Sequence, residues 1–391
     1  PYPARTGRDL TYLPPWRRNA TERYCPVNTR PPSTKRGDRA MKSQHVRVVG
    51  AGLIGTSIAL GLASRGVSVE LHDEDQNTLD LAKDLLAPHV KVGVPDLVIV
   101  ATPPKTISNV LKKEFGNNPQ ATFIDVGSVK NNLVLEVEAL TELAARFVGS
   151  HPMAGREVAG PSSAQADLFQ GRAWILTPTS MTEESSIDLA KELVEALGAT
   201  AYIMSAPAHD SLLARISHLP QITSTALAGA IEQIGDNLNL SGQGLRDMTR
   251  IANSDGELWS EILLENQNEV LKAITEYQQI IANLKDALES RDESALKKVF
   301  INGNKGRARV SGKHGSKPRN YSHLMIVIKD EPGALSQLFE QCAAINANIE
   351  DLSIEHSPGQ LTGLITLAFS PDDALRVQDH LLSHDWKVHL R

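Results

Sequence analysis

The sequence predicts an α/β N-terminal domain built on a mostly parallel sheet, an all-α middle domain and a small α+β C-terminal domain. From Val46 to about Met204, short apolar runs alternate with helical stretches, the rhythm of successive βαβ units. After Pro207 the apolar residues fall three, four or seven apart, which is helical spacing. Beyond a Gly- and Lys/Arg-rich stretch at 302–320, strand and helix patterns recur in the order βαββαβ, the ferredoxin-like arrangement. The expected boundaries are therefore 1–44, 45–206, 207–301, 302–320 and 321–391.

The expected strands of the first domain are Val46–Val49, Val69–His72, Leu97–Ala101, Thr122–Val126, Arg146–Val148 and Trp174–Thr177. In the middle domain Ile262, Leu263, Val270, Ile274, Tyr277, Ile280, Ile281, Leu284 and Leu288 form one apolar stripe. So long a stripe needs more cover than one short helix set offers, and it predicts a homodimer. Residues 302–320 read as a linker, since glycine and charge without periodicity bury nothing. The last domain is expected as strand Leu324–Ile328, helix Gly333–Ile345, strands Ile349–His356 and Leu361–Phe369, helix Asp372–Ser383 and strand Lys387–Leu390. The Pro- and Arg-rich residues 1–44 lack apolar periodicity and read as a disordered extension.

Composition narrows the function. The formal net charge of −6 over 391 residues argues against a nucleic-acid partner, because displacing phosphate counterions requires a basic face. Cys25 and Cys342 stand alone, which predicts neither a disulfide framework nor a metal site and fits a reducing, cytoplasmic compartment. No apolar run approaches the ~18 residues that a membrane span needs.

Gly50-Ala51-Gly52-Leu53-Ile54-Gly55 matches G-x-G-x-x-G between a predicted strand and a predicted helix, the context that gives this motif its meaning. Gly50 permits the tight turn, Gly52 lets backbone amides approach a pyrophosphate, and Gly55 lets the helix pack closely on the strand. Leu53 and Ile54 open that helix, whose free amides attract an anion. Asp73 ends the next strand, where a carboxylate accepts ribose hydroxyls and repels a 2′-phosphate. The expected cofactor is NAD on a Rossmann-like domain.

Four further segments, Ala101-Thr102-Pro103-Pro104, Asp125-Val126-Gly127-Ser128-Val129-Lys130, Gly149 to Glu157 (Gly-Ser-His-Pro-Met-Ala-Gly-Arg-Glu) and Gly244 to Ala252 (Gly-Leu-Arg-Asp-Met-Thr-Arg-Ile-Ala), occur in this order. Together they resemble the prephenate dehydrogenases, and the resemblance runs from Val46 to about Lys298. Such a reaction needs a hydride to leave an alcohol carbon while a base takes or holds the hydroxyl proton, work that suits histidine near neutral pH. The resemblance makes His151 that base, with Ser128 beside it on the substrate hydroxyl, although Ser128 could also serve as a helix N-cap. Lys130 reads as a solvated first-turn residue. Thr102 and Pro103 are implied as cofactor contacts.

A dicarboxylate substrate calls for a guanidinium fork, and Arg250 matches the family's substrate arginine, with an ion pair to Asp247 as its plainer alternative. Arg246 suits that plainer part better. Glu157, His218 and Gln221 are implied in the substrate pocket. Many relatives carry histidine where Gln221 stands, and an amide cannot carry charge, so prephenate and arogenate both remain open. Lys329-Asp330-Glu331-Pro332-Gly333-Ala334-Leu335 resembles the turn of ACT domains, which implies a regulatory pocket around Asp330, Gly333, Asn348 and Ile349 with tyrosine as effector. The competing enzyme class, a β-hydroxyacid dehydrogenase or imine reductase, relies on a lysine where this chain has Arg250.

Overall fold

The computed structural model describes residues 45–86, 93–155, 160–310, 321–356 and 362–390. The expected extension at 1–44 and Glu157 lie outside them. The chain divides into two compact units, one holding the residues up to Gln233 together with Thr249–Thr275, the other Ile234–Met248 and Glu276 onward.

The first unit begins with β1 (His45–Val49), α1 (Leu53–Ala63), β2 (Ser68–His72), α2 (Gln76–Leu85), β3 (Leu97–Val100), α3 (Pro104–Asn117) and β4 (Thr122–Asp125). It continues through α4 (Asn131–Glu138), α5 (Thr141–Arg146), β5 (Phe147–Pro152), β6 (Ala173–Thr177), α6 (Glu184–Ala196) and β7 (Thr200–Ile203). The seven strands lie in the order β2-β1-β3-β4-β5-β6-β7. All neighbours pair in parallel except β5 and β6, which run antiparallel. The four residues of β3, Leu-Val-Ile-Val, are all fully buried, as befits a central strand covered on both faces. Each such side chain contributes about 1.5–3 kcal/mol by leaving water.

Two strand expectations need correction. Arg146 closes α5, so β5 begins at Phe147 and carries His151 inside the strand, opposite Ile175. The strand extends this far because β6 supplies an antiparallel partner, and Gly149 makes the close approach possible: a Cβ there would lie 2.4 Å from Thr177 Oγ1. β7 was not anticipated at all; its residues are half-exposed or exposed, so its apolar signal is weak.

The helices that follow are α7 (Ala206–Leu213), α8 (Leu219–Ile231), α9 (Gln243–Thr249), α10 (Gly256–Glu265), α11 (Gln267–Glu289) and α12 (Glu293–Arg307). A π-helical turn, Ala214–His218, joins α7 to α8. The compact units cut this helical region at 234, 249 and 276. The predicted linker starts too early, because α12 runs through Asn302-Gly303-Asn304-Lys305-Gly306. Each glycine costs a helix roughly 1 kcal/mol. Against that, Asp292 caps the start by accepting from the Ala295 amide, and Lys305 and Arg307 lie in the last turn, where cations suit the helix dipole. Residues 311–320 lie outside the described chain.

The second unit ends in β8 (Ser322–Lys329), α13 (Ala334–Ala344), β9 (Asp351–His356), β10 (Thr362–Phe369), α14 (Pro371–Ser383) and β11 (Lys387–Leu390). The antiparallel sheet has the order β11-β8-β10-β9, which with the βαββαβ chain order is ferredoxin-like. Its core is Leu324, Ile326, Leu338, Ile365, Leu367, Phe369 and Leu381. β9 opens at Asp351 rather than Ile349, since Ile349 packs against that core and not within the ladder.

Candidate active site

Gly50 has φ +105°, and a Cβ there would stand 2.4 Å from the Ala101 carbonyl oxygen. A Cβ on Gly55 would meet the Gly50 oxygen at 1.9 Å. Both glycines are therefore dictated by the chain's own backbone, whereas a Cβ on Gly52 would meet nothing within 4 Å. The space beside Gly52 belongs to whatever docks there. Gly52 caps α1 without a side-chain hydrogen bond, which leaves the helix start to a ligand anion; Leu53 and Ile54 form its first turn, half-buried.

Asp73 accepts from the Ala51 amide at 2.6 Å and from the Asp75 amide at 2.9 Å. It thus pins the glycine turn to the end of β2 while each oxygen keeps a further lone pair. Thr102 and the exposed Pro103 lie between β3 and α3, and the buried Thr102 hydroxyl has no hydrogen-bond partner among the described residues. An orphaned hydroxyl beside a glycine turn, a free helix start and a carboxylate at the end of the next strand fit a dinucleotide.

At the carboxyl end of β4 and β5 the polar groups are buried and mutually bonded. Asp125 and Lys130 are both fully buried and form an ion pair. Asp125 also accepts from the amides of Gly127 at 2.8 Å and Ser150 at 3.0 Å. Lys130 is therefore not a solvated first-turn residue; its ammonium answers a carboxylate that the strand end has withdrawn from water. Nor does Ser128 cap α4, because Lys130 occupies the N-cap position. The amides of Lys130 and Asn131 instead donate to the Asp210 carboxylate at 2.9 and 2.8 Å. Ser128 lies half-buried in the loop between β4 and α4.

From β5, His151 reaches α7, its Nδ1 standing 2.9 Å from His209 Nε2. His209 Nδ1 in turn is 2.8 Å from Asp210 Oδ1. Loss of water holds His151 well below the ordinary imidazole range, and His209, Lys130 and His218 push the same way. His209 is also lowered, chiefly by burial and against its hydrogen bond to Asp210. His218, in the π-helical turn, is lowered to about 4 by burial. Its ring meets Trp259 edge-on, and its Nδ1 lies 3.2 Å from Asn266 Nδ2, which also donates to the Asp210 carbonyl. A single π turn inside a helix is a frequent mark of a functional site.

Gln221, one turn into α8, spends its amide on the neighbouring chain. Its Nε2 donates to the Ile251 carbonyl at 2.8 Å and to the Ser254 hydroxyl at 3.0 Å. This clamps the 3₁₀ turn Arg250–Ala252, on which Arg250 itself is exposed. His151 and His218 are thus joined through His209, Asp210 and Asn266, while Gln221 and the Arg250 turn form a separate cluster in the same unit. His209, Asp210 and Asn266 were missed as site residues. The signal for the first two was their place: Ala206, His209, Asp210 and Leu213 share the buried face of α7, and a His-Asp pair on an apolar face requires partners.

In the second unit, Asp330 and Gly333 line an open pocket with Ile328, Leu335, Ile354 and Ile365. Gly333, at φ +91°, starts α13. Ile349 packs on the core and Asn348 bonds to Glu350 at 2.9 Å, so these two are not among the pocket's walls.

A mostly parallel sheet with a glycine turn suited to a dinucleotide, and a buried histidine near the sheet's carboxyl edge, is the layout of a nicotinamide-dependent dehydrogenase. Residues 39–203 match the family model "Prephenate dehydrogenase, nucleotide-binding domain", and residues 205–302 match "Prephenate dehydrogenase, dimerization domain". The chain belongs to the prephenate dehydrogenase family. A probable prephenate dehydrogenase of Streptomyces niveus, NovF, is 28% identical over 353 residues, covering 87% of this chain and 98% of its own. The crystal structure of Aquifex aeolicus prephenate dehydrogenase in complex with hydroxyphenyl propionate and NAD+ is 31% identical, with TM-score 0.61, over 68% of this chain and 98% of that one. Synechocystis arogenate dehydrogenase is 30% identical, with TM-score 0.58, over 67% and 98%. This family membership displaces the β-hydroxyacid dehydrogenase and imine reductase alternative.

Proposed function

We propose that this chain catalyses the NAD-dependent oxidative decarboxylation of prephenate to 4-hydroxyphenylpyruvate, a step toward tyrosine. The observation that carries the reading is His151, an imidazole kept neutral at the carboxyl edge of the dinucleotide sheet. NAD, held by the Gly50–Gly55 turn and Asp73, would supply the acceptor for the hydride that leaves C4 of the cyclohexadienol ring. His151 accepts the hydrogen bond of the C4 hydroxyl and draws its proton as positive charge grows on that carbon. The electron pair of the bond to the ring carboxylate flows into the ring as CO2 leaves, and the proton returns to what is now a phenol oxygen. Aromatisation drives the step. Ser128 shares the hydroxyl, and Arg250 holds a carboxylate through a two-pronged contact. His218 completes the pocket, while Gln221 acts by fixing the Arg250 turn.

NAD is favoured over its 2′-phosphorylated form by the Asp73 carboxylate. The family's dimerisation domain and the exposed Ile280, Ile281, Leu288, Phe300 and Ile301 support a homodimer, and the two-cysteine composition supports a cytoplasmic location. The C-terminal unit acts as an ACT-like regulatory domain, with tyrosine bound at Asp330 and Gly333, where the start of α13 offers free amides to a carboxylate. The test is an assay of the purified chain with prephenate or arogenate, NAD or NADP, with and without tyrosine. Reduced cofactor should form with prephenate and NAD, and tyrosine should slow it. No turnover of prephenate would remove the assignment.

A further inference from the structure

We infer that His209 and Asp210 are positioning residues that set the tautomer of the proton-accepting histidine, a reading that rests on His151 being the base. The argument starts at Asp210, whose ionised carboxylate can only accept. Its two oxygens are held by the Lys130 and Asn131 amides at the start of α4, where the helix dipole favours negative charge. His209 Nδ1 faces Oδ1 at 2.8 Å, so Nδ1 carries the proton of the neutral ring. His209 Nε2 is left with a lone pair, and it faces His151 Nδ1 at 2.9 Å. That nitrogen is therefore the protonated one on His151. The remaining nitrogen, Nε2, bears the lone pair that a substrate hydroxyl meets. One carboxylate fixes two rings in sequence.

The surrounding charges act in the same sense. Lys130 faces both imidazoles from the β4–α4 loop, paired with Asp125 from β4, and His218, itself lowered to about 4, faces them from the π turn. Before reaction burial, reinforced by the Lys130 charge, keeps His151 neutral. As it takes up the hydroxyl proton, the growing positive charge passes along the two Nδ1–H bonds toward Asp210. Stabilisation that appears only then lowers the barrier rather than the binding energy.

The discriminating variants are His209→Phe, which keeps ring volume but cannot accept, and His209→Gln, which is smaller but offers a carbonyl oxygen near the Nε2 position. Expected is a kcat about 100-fold lower for Phe, the scale of a mis-set general base, with Gln retaining within about tenfold and both keeping KM within about twofold. Side-chain ¹⁵N spectra, with the His151 signal assigned by its loss in His151→Asn, should show protonated Nδ1 and bare Nε2 in the unaltered chain and in the Gln variant. In the Phe variant the proton should move to Nε2. Equal or faster turnover by Phe than by Gln would overturn the inference, as would a wild-type His151 protonated on Nε2. Should the Phe chain fail to fold, the wild-type spectrum decides alone. His151→Asn separates the two levels: unchanged kcat there sinks the base itself, whereas lost kcat with the His209 order reversed sinks only its positioning.

Discussion

His151 gains its usefulness from what surrounds it rather than from what it is. An imidazole in water would be partly protonated at pH 6.5, but burial, with the neighbouring histidines and Lys130 acting in the same direction, holds this one well lower. If His151 is the base, as proposed, its protonation abolishes activity as pH falls through its folded pKa, so a lowered pKa moves the acid limb downward. The kcat/KM profile for prephenate should therefore stay flat from pH 8 through 6.5 and fall only below the ordinary imidazole range; a half-maximal point at or above 6.5 would contradict this. Lys130 gives a second prediction. Removing one member of a buried ion pair strands the other, at about 3–5 kcal/mol, so Lys130→Met should lower the urea midpoint steeply, while an unchanged midpoint would mean that the pair is not buried. His151 and Arg250 could be singled out as candidates in the sequence because their motifs are contiguous. The Asp125–Lys130 pair and the His209–Asp210 dyad could not, since their meaning depends on burial created by the fold.

The glycine turn and the sheet that presents it decide what the residues can reach. Gly50 and Gly55 are required by their own backbone neighbours, Gly52 by nothing in the chain. Gly50→Ala should therefore weaken folding and NAD binding together, whereas Gly52→Ala should leave the melting temperature within about 1–2 °C and raise the KM for NAD at least tenfold, the scale of losing a close backbone approach. Equal effects on folding would contradict the division of labour. Strands with uniform apolar runs, such as β3, were legible because a doubly covered sheet demands them. β7 and the far half of β5 were not, because half-exposed edges carry little pattern. The end of α12, residues 302–307, reads as linker by composition and is helix by structure, its capping outweighing its glycines.

Across the whole chain, the expected order of α/β, helical and ferredoxin-like regions is observed, because each has its own hydrophobic period. The compact units nevertheless split the helical region, an outcome that local periodicity does not encode. No helix among the described residues is long and apolar enough to cross a membrane; in the proposed homodimer a second copy covers the exposed apolar residues of α11 and α12. Light scattering should give twice the 42.4 kDa chain mass, and Ile280→Asp with Phe300→Asp should reduce it; a monomeric parent chain would contradict the dimer. The claim on which the account turns is that an imidazole from β5 and a guanidinium from the turn at Arg250 serve one substrate. A crystal structure with NAD and 4-hydroxyphenylpyruvate measures this directly. The phenol oxygen is predicted within hydrogen-bonding distance of His151 Nε2, with a carboxylate on an Arg250 guanidinium; a ring bound away from either group would contradict the account.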